Sequence, residues 1–127
     1  MSVADVQDYF SQNRAQLNLE YEEGGTPLIA AIASNRLALV QAVLELGANP
    51  NYMSKNSALP LIFAIESAIS ADDYGSDEEA AMSINIIKLL LQYGASPEIV
   101  DITEGETAHT YCKGKLPKAE HLLAKPA

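Results

Sequence analysis

His109 and Cys112 stand three residues apart, a spacing at which two side chains share one face of a helix, and a thiol beside an imidazole is the beginning of a nucleophilic centre. No third group to orient the imidazole and no oxyanion-binding element accompanies the pair. Cys112 is the single cysteine, and free cysteine is among the residue types most often buried as small hydrophobes. That packing role is the expectation for Cys112, and His121 is expected on the surface of the last helix. Zinc takes about four ligands, largely Cys and His, and the chain has one cysteine and two histidines. The phosphate-cradling patterns G-x-x-x-x-G-K-S/T and G-x-G-x-x-G are missing, as is H-E-x-x-H. Asp72-Asp73 and Glu78-Glu79 depart from the alternating D-x-D-x-D-G order of a calcium loop. They also lack the visible pocket that a pair of catalytic carboxylates needs. The expectation is no enzyme, no cofactor and no metal.

The elements that hold these residues belong to a chain of 127 residues, 48% hydrophobic, enough for one domain to bury a core without staples. A lone cysteine excludes an intramolecular disulfide and fits a reducing compartment, so a cytoplasmic location is expected. Residues 1–10 lack the basic start and apolar run of a secretory signal. No stretch reaches the roughly 20 apolar residues of a membrane span. The net charge is −9, with fifteen acids against four bases in residues 1–104 and two acids against four bases after that. Such a field repels nucleic acid and anionic membranes and favours encounter with basic proteins, although solubility alone would also account for it.

The sequence repeats itself. Thr26-Pro27-Leu28-Ile29-Ala30-Ala31 is followed 33 residues later by Leu59-Pro60-Leu61-Ile62-Phe63-Ala64, and Gly47-Ala48-Asn49-Pro50-Asn51 and Gly94-Ala95-Ser96-Pro97-Glu98 close the units. Thr26 is suited to cap a helix that starts at Pro27, where a missing N–H costs nothing. Leu28, Ala31 and Ile32 then share one face. Asn35 is placed to end that helix and start the next. Leu37, Val40, Val43 and Leu44 mark the second amphipathic helix, which Gly47 ends in the left-handed conformation. The same logic recurs in Ile84, Ile87, Leu90 and Leu91 before Gly94. Neither pair could bury its stripe alone, so the units must stack.

These residues resemble the ankyrin repeat, whose marks are a Thr-Pro-Leu-His-x-Ala start, a long second helix and a Gly-Ala-Asp-x-Asn turn. Residues 26–51 follow it without a gap, with Ile29 in place of the histidine, and residues 82–97 match its second half. The resemblance implies an all-α fold: a short solenoid of stacked helix pairs joined by hairpin loops, with capping helices at both ends. The expected division is an N-terminal cap and hairpin at 1–25, a repeat at 26–58, a repeat at 59–106 and a degenerate C-terminal cap at 107–127. The next start, Thr107, falls 48 residues after Leu59. An insertion near 68–81 is therefore expected inside the second repeat.

The polar stretch from Ser70 to Glu79 reads as a solvated loop, with Ser76 and Glu79 in capping-box spacing at the start of the next helix. Within it Asp72, Asp73, Tyr74 and Asp77 are candidate partner contacts, an exposed aromatic with a polar rim being a common anchor. Further positions come from the resemblance, which implies that partners meet hairpin tips and the exposed ends of first helices. They are Glu22, Glu23 and Ser34 in the first repeat, Lys55, Asn56 and Glu66 in the second, and Glu104 in the third, with Tyr21 and Tyr52 as nearby aromatics. The functional expectation is a monomeric, non-catalytic protein-interaction module that inhibits or neutralises a basic protein through an acidic concave face and the insertion. The alternatives are an adaptor bridging two proteins, end-to-end self-assembly, and a thiol enzyme using Cys112.

Overall fold

Short-range chemistry starts most of the helices. In the computed structural model, which describes residues 2–20, 25–53, 59–101 and 105–123, Ser2 caps α1 (Val3–Gln12) through reciprocal bonds with Asp5. The Ser2 hydroxyl and amide hold the Asp5 carboxyl below its ordinary pKa. A 3₁₀ turn at Arg14–Gln16 follows. Thr26 caps α2 (Pro27–Ala33) by accepting the Ile29 N–H at 3.5 Å, with Pro27 in the first turn. After α3 (Leu37–Glu45), Gly47 takes a φ of 109°, the left-handed conformation that lets a helix end without strain on a Cβ. The second repeat holds α4 (Pro60–Tyr74) and α5 (Asp77–Gln92). Thr107 and Thr110 form a capping box on α6 (Ala108–Cys112), and α7 (Pro117–Leu123) ends the described chain. Among the described residues there is no strand.

The helices form two rows. In the inner row α2 packs on α4 and α4 on α6, while in the outer row α1 packs on α3, α3 on α5 and α5 on α7. Within a unit the partners are α2 with α3, α4 with α5 and α6 with α7. The first unit thus contributes only an outer helix among the described residues, as a cap does. Leu28, Ile32, Val40 and Val43 of one unit meet Leu61, Ile62, Ile65, Ile86, Ile87 and Leu90 of the next in a continuous buried core. Leu116, Ala119 and Leu123 close it at the far end.

Asparagines stitch the turns of successive units together. Asn18 Oδ1 accepts the Asn49 N–H at 2.7 Å, while Asn51 Oδ1 accepts the Ser96 N–H at 2.8 Å and Asn51 Nδ2 donates to the Gly94 carbonyl at 3.0 Å. Each repeat thereby satisfies turn groups of its neighbour that would otherwise need water.

The second unit departs from the first in length. α4 has 15 residues against 7 in α2, and α5 has 16 against 9 in α3. The expected loop is corrected from Ser70 to Tyr74, which continue α4, while Asp77 to Glu79 open α5 where the Ser76 cap places its start, and only Gly75 and Ser76 lie between. Residues 60–74 contain no helix breaker after Pro60, Ala68 is buried, and α4 packs along α5, so pairing of the two helices carries both beyond their neighbours. Eight extra residues make an overhang of about 12 Å. Gly75 permits the sharp return, since a Cβ there would lie 2.9 Å from the Ala71 carbonyl oxygen. Ser76 accepts the Glu79 N–H at 3.1 Å, one half of the expected capping box.

Candidate binding site

Asn35 is the pivot on which the overhang is fixed. It holds a φ of 55° without being glycine, a conformation asparagine tolerates better than most side chains. From there its side chain donates to the Glu79 carbonyl at 3.4 Å and accepts from the Ser83 hydroxyl at 3.0 Å. Ser83 is buried, and this bond satisfies it. The turn between α2 and α3 is thereby tied to the first turns of α5. Above it the end of α4 passes over, leaving a cleft of about 350 Å³ lined by Ala33, Asn35, Ser67, Ser70, Tyr74 and Glu79 among others.

Tyr74 lines this cleft, and Asp72, Asp73 and Asp77 are exposed on the two helix ends joined by Gly75 and Ser76, outside its lining. Tyr74 has 89% of its surface open to solvent. Ser34 is exposed in the turn beside Asn35, its hydroxyl donating to the Ala31 carbonyl at 2.6 Å. Glu66 is half-buried and accepts the Tyr111 hydroxyl at 3.2 Å, so this carboxylate helps join α4 to α6. Tyr52 is half-buried just beyond the end of α3, at the other end of the helix pair from Asn35. The candidates thus separate into a group at the overhang and a residue at the opposite, hairpin end. Tyr21, Glu22, Glu23, Lys55, Asn56 and Glu104 lie outside the described residues.

The thiol and the imidazole do not form a pair. Cys112 has no exposed surface, its Sγ lies 3.5 Å from the Leu116 carbonyl oxygen, and burial followed by the nearby Glu120 charge pushes its pKa from 9.0 up to about 11. A nucleophilic thiol requires the reverse shift. The His109 imidazole is 40% exposed and sits 3.9 Å from Glu98. Cys112 is the packed small hydrophobe that its residue type suggests, and His121 is exposed on α7. Among the described residues no three His, Cys, Asp or Glu side chains are grouped to hold a metal ion. No described helix is long and apolar enough to cross a membrane.

One polar residue escapes a sequence reading. Asp101 is fully buried, and its carboxylate accepts the N–H of Leu59 at the mouth of α4, where no side chain of Leu59 can cap. Its own N–H donates to the Glu106 carbonyl at 2.9 Å, and its carbonyl accepts the Gly105 N–H at 2.7 Å. The replacement of Thr by Leu at the second repeat start leaves an unmet cap, but nothing in the local sequence names an acid 42 residues away as its substitute.

Residues 23–55 match the family model described as Ankyrin repeat. This interval contains α2 and α3 and the Gly47 turn that closes them. A search of curated proteins gives no match.

Proposed function

We propose that this chain, a member of the ankyrin-repeat family, binds a basic protein through the acidic end of its α4–α5 hairpin and thereby inhibits or neutralises it. Ankyrin repeats are protein–protein interaction modules and are typically non-catalytic. The observation that carries the finer reading is the charge of the overhang. Between Lys55 and Lys88 there are six acids and no base, and five of these acids, Asp72, Asp73, Asp77, Glu78 and Glu79, are exposed around one helix-to-helix turn. A carboxylate array on a rigid projection raises the encounter rate with a cationic surface and disfavours acidic partners. Such steering suits a monomer that must cover a toxic or active basic protein quickly. Ser34 and the hairpin positions Tyr21, Glu22, Glu23, Tyr52, Lys55, Asn56 and Glu104 are proposed as additional contacts.

The test is affinity capture from the source cells with the intact chain, at roughly 50 and 200 mM salt to span strong and weak screening. Basic proteins are expected on the matrix, in larger amount at low salt. The triple variant Asp72→Asn, Asp73→Asn, Asp77→Asn is expected to retain fewer of them while melting within a few degrees of the parent. Capture of mainly acidic proteins, or of none at either salt concentration, would sink this reading. A stable ternary complex would favour the bridging adaptor instead.

A further inference from the structure

We infer that the cleft between the α2–α3 turn and the overhanging α4–α5 hairpin receives an arginine side chain of the protein partner, stacked on Tyr74 and paired with Glu79. This inference rests on the reading of the chain as a binder of basic proteins, and names the chemistry by which it would recognise one.

The size of the cleft limits its occupant. About 350 Å³ lies near the lower end of the roughly 300–1,000 Å³ typical of small-ligand sites, room enough for one long side chain. Small residues make the room: Ala33, Ala71 and Gly75 line it together with the hydroxyl-bearing Ser67 and Ser70. The floor is fixed, because Asn35 and Ser83 hydrogen-bond each other and Asn35 also bonds the Glu79 carbonyl. At the open side stands the Tyr74 ring, 89% exposed, an arrangement that costs apolar hydration in the free protein and is relieved when something flat covers it.

The electrostatics select a cation. α2 and α4 both end at the cleft, the Glu79 carboxylate lines it, and Asp72, Asp73, Asp77 and Glu78 are exposed on the same helix-to-helix turn, so the local field is negative. Neither helix carries a basic residue in its last turn. α4 instead carries Asp72 and Asp73 there, the sign that opposes its own macrodipole. Helix stability alone would favour the opposite charge at these positions. A cation bound in the cleft would sit beside the Glu79 carboxylate that lines it.

Arginine fits better than lysine. Its planar guanidinium stacks on an aromatic face and spreads five donors across several acceptors, whereas an ammonium is a compact and strongly hydrated point charge. The acceptors here are distributed on different elements, Ser67 and Ser70 on α4 and Glu79 on α5, which matches the forked group.

The experiment uses the isotope-labelled full chain and three capped pentapeptides, Gly-Ser-Arg-Ser-Gly and its counterparts with lysine or citrulline at the centre, followed by amide NMR shifts. Saturable shifts are expected at residues 33–35, 67–75, 79 and 83. Citrulline keeps the shape and loses the charge, so its peptide should bind at least about tenfold more weakly, and the lysine peptide about threefold more weakly, in line with a stacked and charge-paired guanidinium. Tyr74→Ala and Glu79→Gln should each weaken the arginine peptide by roughly threefold to tenfold, with Tyr74→Phe close to the parent. Tyr74 is too exposed for its loss to unfold the chain, and an unchanged melting curve would verify that. Shifts outside the cleft, equal binding of arginine and citrulline or of arginine and lysine, or indifference to both cleft variants would overturn the inference. Arginine-selective shifts at the cleft would support it even if capture retained no basic protein, an outcome that counts against the broader reading alone. Conversely, a captured basic partner that ignores both cleft variants, with peptide shifts elsewhere, would remove the arginine site and leave the module reading intact.

Discussion

At the scale of single residues, helical spacing alone is a poor guide to chemistry, whereas the residue type of Cys112 already points to its burial. His109 and Cys112 have the separation of a helical pair, yet one side chain faces Glu98 and the other packs in the core. Because the folded state holds the Cys112 thiol at about 11 rather than 9.0, it binds its proton more tightly than the unfolded chain does. The sign follows directly: the stabilisation is complete below pH 9 and is lost as pH rises toward 11. Between pH 8 and 10.5 the parent should lose on the order of 1–2 kcal/mol more stability than Cys112→Val, by the linkage between protonation and folding. Urea unfolding at the two pH values measures it, and parallel losses in both proteins would contradict it. The same burial should leave the native thiol unreactive toward aromatic disulfide reagents at pH 8. Asp101 is the counterpart case, an acid whose place at the mouth of α4 no local pattern announces.

At the scale of elements, the long second repeat is the feature that separates this chain from a regular array. The spacing of the repeat starts implies extra residues in the second repeat, and the polar composition of Ser70 to Glu79 suggests a loop. The loop reading failed because helix pairing is a tertiary matter: α4 packs along α5, which a count of charged residues does not show. Ser76 was legible as a cap because capping is local, within three residues. The two helix ends that meet at the tip make opposite demands on their acids. Asp73 lies at the negative end of α4, so Asp73→Asn should raise stability by about 0.3–1 kcal/mol, while Asp77 lies at the positive end of α5 and Asp77→Asn should lower it by a similar amount. Denaturant titration of the two single variants reads the signs directly. Both should weaken a basic partner, so stability and binding would move in opposite directions at Asp73. Equal signs for the two substitutions would show that the helix ends are not the governing field.

At the scale of the whole molecule, the units depend on each other, since each hydrophobic stripe is covered by its neighbour and the turns are stitched by asparagines. Asn51→Ala removes both bonds to the next turn and should cost about 1–3 kcal/mol. In an array held by nearest-neighbour interfaces that loss should also broaden the urea transition, as the two halves begin to melt apart. A change below roughly 0.5 kcal/mol, with an equally sharp transition, would show that apolar stacking alone couples the units. The sequence by itself determined the repeat, the caps at Thr26 and Ser76, the glycine turns and the sign of the overall charge, because each depends on a few adjacent residues or on composition. Tertiary structure alone decided that the overhang is helical and that the candidates at the α4–α5 hairpin lie at the opposite end of the helix pairs from Tyr52. It also decided that Asn35 ties α2 to α5 and that Asp101 serves α4. These arrangements join residues about 40 or more positions apart, or depend on how far two helices pair, and no local pattern encodes which distant groups the stacking brings into contact.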